Sequence, residues 1–74
     1  MFEEIRELVS EVFGIDEDEV TLELSQQTLD KWDSLNHLKL ITAVEEEFNI
    51  NFTMDDIEEI SNVAKLVEVI GKYK

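Results

Sequence analysis

Apolar residues recur at intervals of three and four along most of this chain, a periodicity that commits it to helices packed face to face. In the first stretch Phe2, Ile5, Leu8, Val9, Val12 and Phe13 form one stripe, which predicts a helix over Phe2–Phe13. Glu3 and Glu4 fall in its first turn, where the helix dipole favours acids. Gly14 then supplies a stop, since glycine enters the left-handed conformation without steric penalty, and Ile15 can cover the helix end. Near the other end of the chain Val63, Leu66, Val67, Ile70 and Tyr73 make a second stripe, capped by Ser61 or Asn62. Gly71 and the lysines beside it predict that this last helix frays.

Between these lies a helix over residues 33–48, opened by Asp33, whose carboxylate can accept from the free amides of the first turn. At about 100° per residue, His37, Leu40, Ile41, Val44 and Phe48 share one arc and predict the core face. Leu35 and Leu38 fall well off that arc, near Lys39, Thr42 and Glu46, as candidates for an exposed apolar contact patch. After a break at residues 49–53, with Ile50 and Phe52 inward, a short helix is expected over about residues 54–60. Thr53 caps it, and Asp55 and Asp56 sit in its first turn.

Residues 15–32 are less regular. Val20, Leu22, Leu24 and Leu29 alternate with polar residues in the manner of a strand, but a lone strand has no partner in a helical chain. The expectation is a long ordered loop that drops these residues into the core, with room for one short helical turn. The fold class is therefore all-α: a four-helix bundle with a long first loop and a short third helix, residues 1–74 forming a single domain.

Composition narrows the function. At 74 residues the chain is near the lower limit for a core without staples, and the absence of cysteine removes disulfides and cysteine-based zinc sites. The apolar runs are too short to cross a membrane and the first residues are acidic where a signal peptide is basic, so the expected location is the cytoplasm. With 19 acids against 6 bases, a net charge of −13 disfavours nucleic acid and anionic lipid and favours basic protein surfaces. One histidine and two glycines leave little from which to assemble a nucleophile with an oriented base, or a phosphate-cradling loop, so no catalytic residues are assigned. In the acidic run Asp16, Glu17, Asp18, Glu19 the first and third residues alternate as in a calcium loop, but Val20, Leu22 and the missing glycine break the pattern; no dedicated metal site is expected, and only weak, nonspecific divalent binding is left open.

Ser34 stands at the first helical position after Asp33, where its hydroxyl faces solvent beside unpaired amides and a helix N-terminus favours a phosphate. By position alone, shared capping duty with Asp33 is the simpler account.

The neighbours alter that balance. The run Trp32-Asp33-Ser34-Leu35, followed by Leu38, Leu40-Ile41, Val44 and Glu45-Glu46-Glu47-Phe48, resembles the acyl carrier protein family. The resemblance extends to the upstream helix, the long loop and the short third helix, and so spans essentially the whole chain. It implies that Ser34 carries a 4′-phosphopantetheine arm, taken from coenzyme A by a phosphopantetheinyl transferase (holo-carrier synthase), which reads Asp33 and Leu35. The arm would supply the thiol that a cysteine-free chain lacks, and acyl groups would ride on it as thioesters. Leu35, Leu38, Glu45, Glu46 and Glu47 would dock acyl-transferring or synthase enzymes through their basic patches, with the carrier a monomer.

Physical chemistry offers its own reading of the glutamates. Three acids near a helix C-terminus oppose the dipole at about 0.3–1 kcal/mol each, which suits a surface that a partner neutralises. Glu47 is expected to face solvent most directly. Asn36, Lys39 and Thr42 depart from the fatty-acid pattern, as do Trp32, His37 and the entry Thr53-Met54, which lacks the usual proline. The expected pathway is fatty-acid synthesis or a specialised polyketide, lipid or glycan-modifying route, and these departures weaken the first and lean toward the second. His37 is expected to be a packed histidine and Trp32 a loop-to-core anchor. The alternative reading is an unmodified acidic adaptor for a basic partner protein.

Overall fold

A computed structural model describes residues 2–73. Its helices are α1 (Phe2–Phe13), α2 (Ser34–Phe48), α3 (Met54–Glu59) and α4 (Val63–Tyr73), with a single 3₁₀ turn at Glu17–Glu19 in the first loop. Among the described residues there is no strand.

The apolar stripes become the core. Ile5 and Val9 of α1, Leu40 and Val44 of α2, Ile60, and Val63, Leu66, Val69 and Ile70 of α4 are almost fully withdrawn from water. Each such side chain contributes about 1.5–3 kcal/mol of burial, which is what holds elements this short in place. The predicted core arc of α2 is the observed one, for His37, Leu40, Ile41, Val44 and Phe48 are its buried residues.

α1 ends as its sequence dictates. Gly14 takes φ 67°, and the amides of Gly14 and Ile15 both reach the Ser10 carbonyl, at 2.8 and 3.1 Å. α2 ends at Asn49, also left-handed at φ 57°, a conformation asparagine tolerates better than most residues. The first loop is tied to α1 by Arg6, which donates to the Glu17 carbonyl and lies 3.7 Å from the Asp18 carboxylate. Val20 and Trp32 reach the core, and Leu24 and Leu29 pack against it. Leu22 does not follow the expectation and remains 46% exposed.

The strand-like alternation does find a partner, although not a strand. Residues of the loop lie against the entry to α4: the Val63 amide donates to Leu24 O at 2.9 Å, Ala64 to Leu22 O at 3.1 Å, and Gln26 to Ser61 O at 3.2 Å. The loop carbonyls thus satisfy amides that a helix start leaves unpaired. Asn62 completes the cap, its side chain accepting from the Lys65 amide at 2.7 Å.

α3 has six residues and cannot be stable alone. It is held by a reciprocal capping box in which Thr53 Oγ1 accepts from the Asp56 amide and Asp56 Oδ2 accepts from the Thr53 amide. The Tyr73 hydroxyl donates to the same Asp56 oxygen, and the Tyr73 ring meets Phe52 edge-on at 5.7 Å. α4 runs through Gly71 to Tyr73, the last described residue; Lys74, on which part of the fraying expectation rests, lies outside the described residues. Sequence pattern counted Gly71 as a weakness but could not see that Tyr73 and Lys72 are secured to Asp56 and Glu59.

Candidate functional site

The N-terminus of α2 is built by its own sequence. Asp33 takes an extended backbone and caps the helix twice: Oδ1 accepts from the Asn36 amide at 2.9 Å, and its carbonyl accepts from the His37 amide at 2.8 Å. The Ser34 and Leu35 amides take no partner among the described residues. Ser34 is exposed, so its hydroxyl stands beside two free donors at the positive end of a helix of 15 residues. That geometry accommodates a phosphate bonded to the serine oxygen without disturbing the cap.

Asn36 gives the turn a further clasp, donating from Nδ2 to the Lys31 carbonyl at 2.8 Å. An aspartate at this position could only accept and would not make that bond. The signal was present in the sequence as an amide where the family pattern often has an acid, but its partner lies before the cap and is not identified by spacing.

Behind Ser34 lies a buried relay. The Trp32 indole, 3% exposed, donates from Nε1 to His37 Nδ1 at 2.9 Å. An indole N–H only donates, so Nδ1 accepts, and the proton of the neutral ring resides on Nε2. His37 Nε2 then donates to the Ile57 carbonyl at 3.0 Å. The relay joins the first loop, α2 and α3, and the Trp32 ring also packs on Phe13 of α1 at 5.2 Å between centroids. Both residues are therefore structural, as their positions suggested, and His37 has neither ring nitrogen left for acid–base work.

The outer face of α2 carries Leu35 at 64% and Leu38 at 54% exposure. Together with Lys39, Thr42, Ala43 and Glu46 they line a shallow, mostly apolar groove open to solvent. The Lys39 side chain makes no ion pair or hydrogen bond among the described residues.

The three glutamates do not share a face. Glu46 borders the Leu35/Leu38 groove. Glu47 turns toward α1, beside Glu4, Glu7 and Glu11. Glu45 is half-buried and folds back, its Oε2 accepting from the Phe52 amide at 2.8 Å. A stretch of three consecutive residues sweeps about 200° around a helix, so a triplet cannot present one surface. The outward position expected for Glu47 belongs to Glu46, which lies opposite the core arc on the helical wheel.

Comparisons with known proteins agree with this arrangement. Residues 3–70 match the family model described as a phosphopantetheine attachment site. The chain is 35% identical over 72 residues to an acyl carrier protein of Guillardia theta, across 97% of this chain and 89% of that protein. It also superposes, with a TM-score of 0.85 and 30% identity, on the NMR structure of a holo acyl carrier protein from Geobacter metallireducens, covering 96% of this chain and 82% of that one. A helical bundle with a capped, solvent-facing serine suits a carrier. With sequence, family model and fold in agreement over nearly its whole length, this chain belongs to the acyl carrier protein family, whose cofactor is a covalently attached phosphopantetheine.

Proposed function

We propose that Ser34 is the attachment point of the 4′-phosphopantetheine arm, and that the protein carries acyl groups as thioesters on that arm between enzymes. The observation that carries this reading is the exposed hydroxyl of Ser34 within Asp33-Ser34-Leu35, at a helix start whose first amides are free. In the loading step Ser34 Oγ forms a bond to the phosphorus of coenzyme A that bears the pantetheine. Adenosine 3′,5′-bisphosphate leaves, and the serine proton passes to a base of the transferase. The arm then supplies the thiol that the chain lacks.

Asp33 has a double part, holding the turn through its side chain and offering, with Leu35, the features a transferase reads. Leu35 and Leu38 supply the apolar contact to partner enzymes, and Glu46 the nearest acidic rim. Glu47 extends the acidic field toward α1, while Glu45 combines a surface charge with its bond to Phe52. A field of this sign speeds encounter with basic docking patches. The protein acts as a monomer in the cytoplasm. No helix among the described residues is long and apolar enough to cross a membrane.

Asn36, Lys39 and Thr42 give the recognition helix a character unlike the fatty-acid pattern, and we assign the carrier to a specialised biosynthetic route. Intact mass after incubation with coenzyme A and a phosphopantetheinyl transferase tests the attachment. The wild-type protein gains one phosphopantetheine, and Ser34→Ala gains none; a gain that persists in Ser34→Ala refutes the assignment.

A further inference from the structure

We propose that this carrier keeps its cargo in water, as a short or polar acyl group, and does not withdraw a long acyl chain into the bundle. The inference rests on Ser34 as the attachment point. From Ser34 the inner side of the first turn of α2 leads toward the apolar interior. The first core-facing residue there is His37, with Trp32 on its loop side and Ile57 of α3 on the other. The relay from Trp32 Nε1 through His37 to the Ile57 carbonyl spans both ways in.

Parting α2 from α3 at this end separates an imidazole N–H from a part-buried carbonyl. Parting α2 from the loop separates an indole N–H from its acceptor. In the first case a part-buried pair is broken and in the second a buried one, next to an apolar guest that can satisfy neither. The far end of the same seam is pinned as well, because Glu45 on α2 accepts from the amide of Phe52, just ahead of α3. α3 cannot simply swing away, since Asp56 holds Tyr73 of α4. Behind the relay, Leu40, Val44, Ile60, Val63 and Leu66 are 0–1% exposed and packed on one another. A guest would have to displace close-packed side chains, which interiors resist.

The test loads the full chain from acetyl-coenzyme A and from octanoyl-coenzyme A with a promiscuous transferase, then compares thermal unfolding and methyl NMR spectra. Mass spectrometry on the wild type and on Ser34→Ala first establishes that Ser34 is modified. The expected result is that the two loaded forms unfold together and that the methyl signals of Leu40, Val44, Val63 and Leu66 coincide. Hydroxylamine should cleave both thioesters at rates within about twofold, because neither is shielded from solvent. A sheltered octanoyl chain would raise the unfolding temperature by on the order of 10 °C, since each buried methylene leaves water. Such a rise with displaced core methyl signals overturns the cargo inference and leaves the attachment intact. Absence of any mass gain at Ser34 overturns the attachment and the cargo inference together.

Discussion

Replacing His37 with leucine removes the centre of the relay while keeping an apolar side chain of similar bulk in its place. Two groups lose their partners, the buried Trp32 indole N–H and the part-buried Ile57 carbonyl. An orphaned buried donor or acceptor costs about 1–3 kcal/mol and a part-buried one less, so the pair should cost roughly 2–4 kcal/mol, a large share of what so small a domain possesses. For a domain of this size each kcal/mol displaces the midpoint by about 4–8 °C, and the midpoint followed by far-ultraviolet circular dichroism should fall by at least about 8 °C. Trp32→Phe provides the complementary cut, leaving Nδ1 of His37 without a donor. The double variant no longer contains the mismatched pair, so its loss should be smaller than the sum of the single losses by about 1 kcal/mol. A His37→Leu protein within about 0.5 kcal/mol of wild type, or a double variant whose losses simply add, would refute the relay as a source of stability.

The hydroxyl of Tyr73 holds the Asp56 carboxyl below its ordinary value of 3.8, and Asp56 in turn raises the Tyr73 hydroxyl above 10.0. A depressed acid stabilises the fold above its unfolded value and ceases to do so as pH falls through the folded one. A raised tyrosine stabilises below its unfolded value and ceases to do so as pH climbs through the folded one. Urea titrations should accordingly show the stability gap between wild type and Tyr73→Phe widest between pH 3.8 and 10.0 and closing beyond either end; parallel curves throughout would exclude the contact. The divergent glutamates make a further prediction. Glu46→Lys should slow transferase association up to about tenfold at low salt with unchanged stability, and the deficit should disappear at high salt. Glu45→Lys should in addition lower stability by about 1 kcal/mol through the lost Phe52 bond, and identical behaviour of the two variants would contradict their placement.

Periodicity revealed most of the architecture, because a helix writes its buried face into residue spacing. The arc of His37, Leu40, Ile41, Val44 and Phe48 and the outlying Leu35 and Leu38 were legible for that reason. The cap at Asp33 and the presentation of Ser34 were legible because they depend on adjacent residues. What spacing does not encode is pairing between polar groups far apart in the chain. The bonds from His37 to Ile57, from Glu45 to Phe52 and from Tyr73 to Asp56 all depend on how the helices are laid against one another. The exposed Leu22 was misjudged because alternation in a loop carries no fixed burial period once the backbone turns.

The carbonyls of Leu22 and Leu24 on the first amides of α4 also bear on the order in which the chain acquires structure. A helix normally nucleates from its own neighbours, but this one begins on hydrogen bonds lent by a segment two helices earlier. α4 is therefore slow to become persistent before the loop has docked, and the loop has little to dock on before α4 exists. The two should appear together, in one concerted event late in folding. A residue inserted between Thr21 and Ser25, although far from Ser34 and from every helix interior, should therefore loosen the C-terminal helix first.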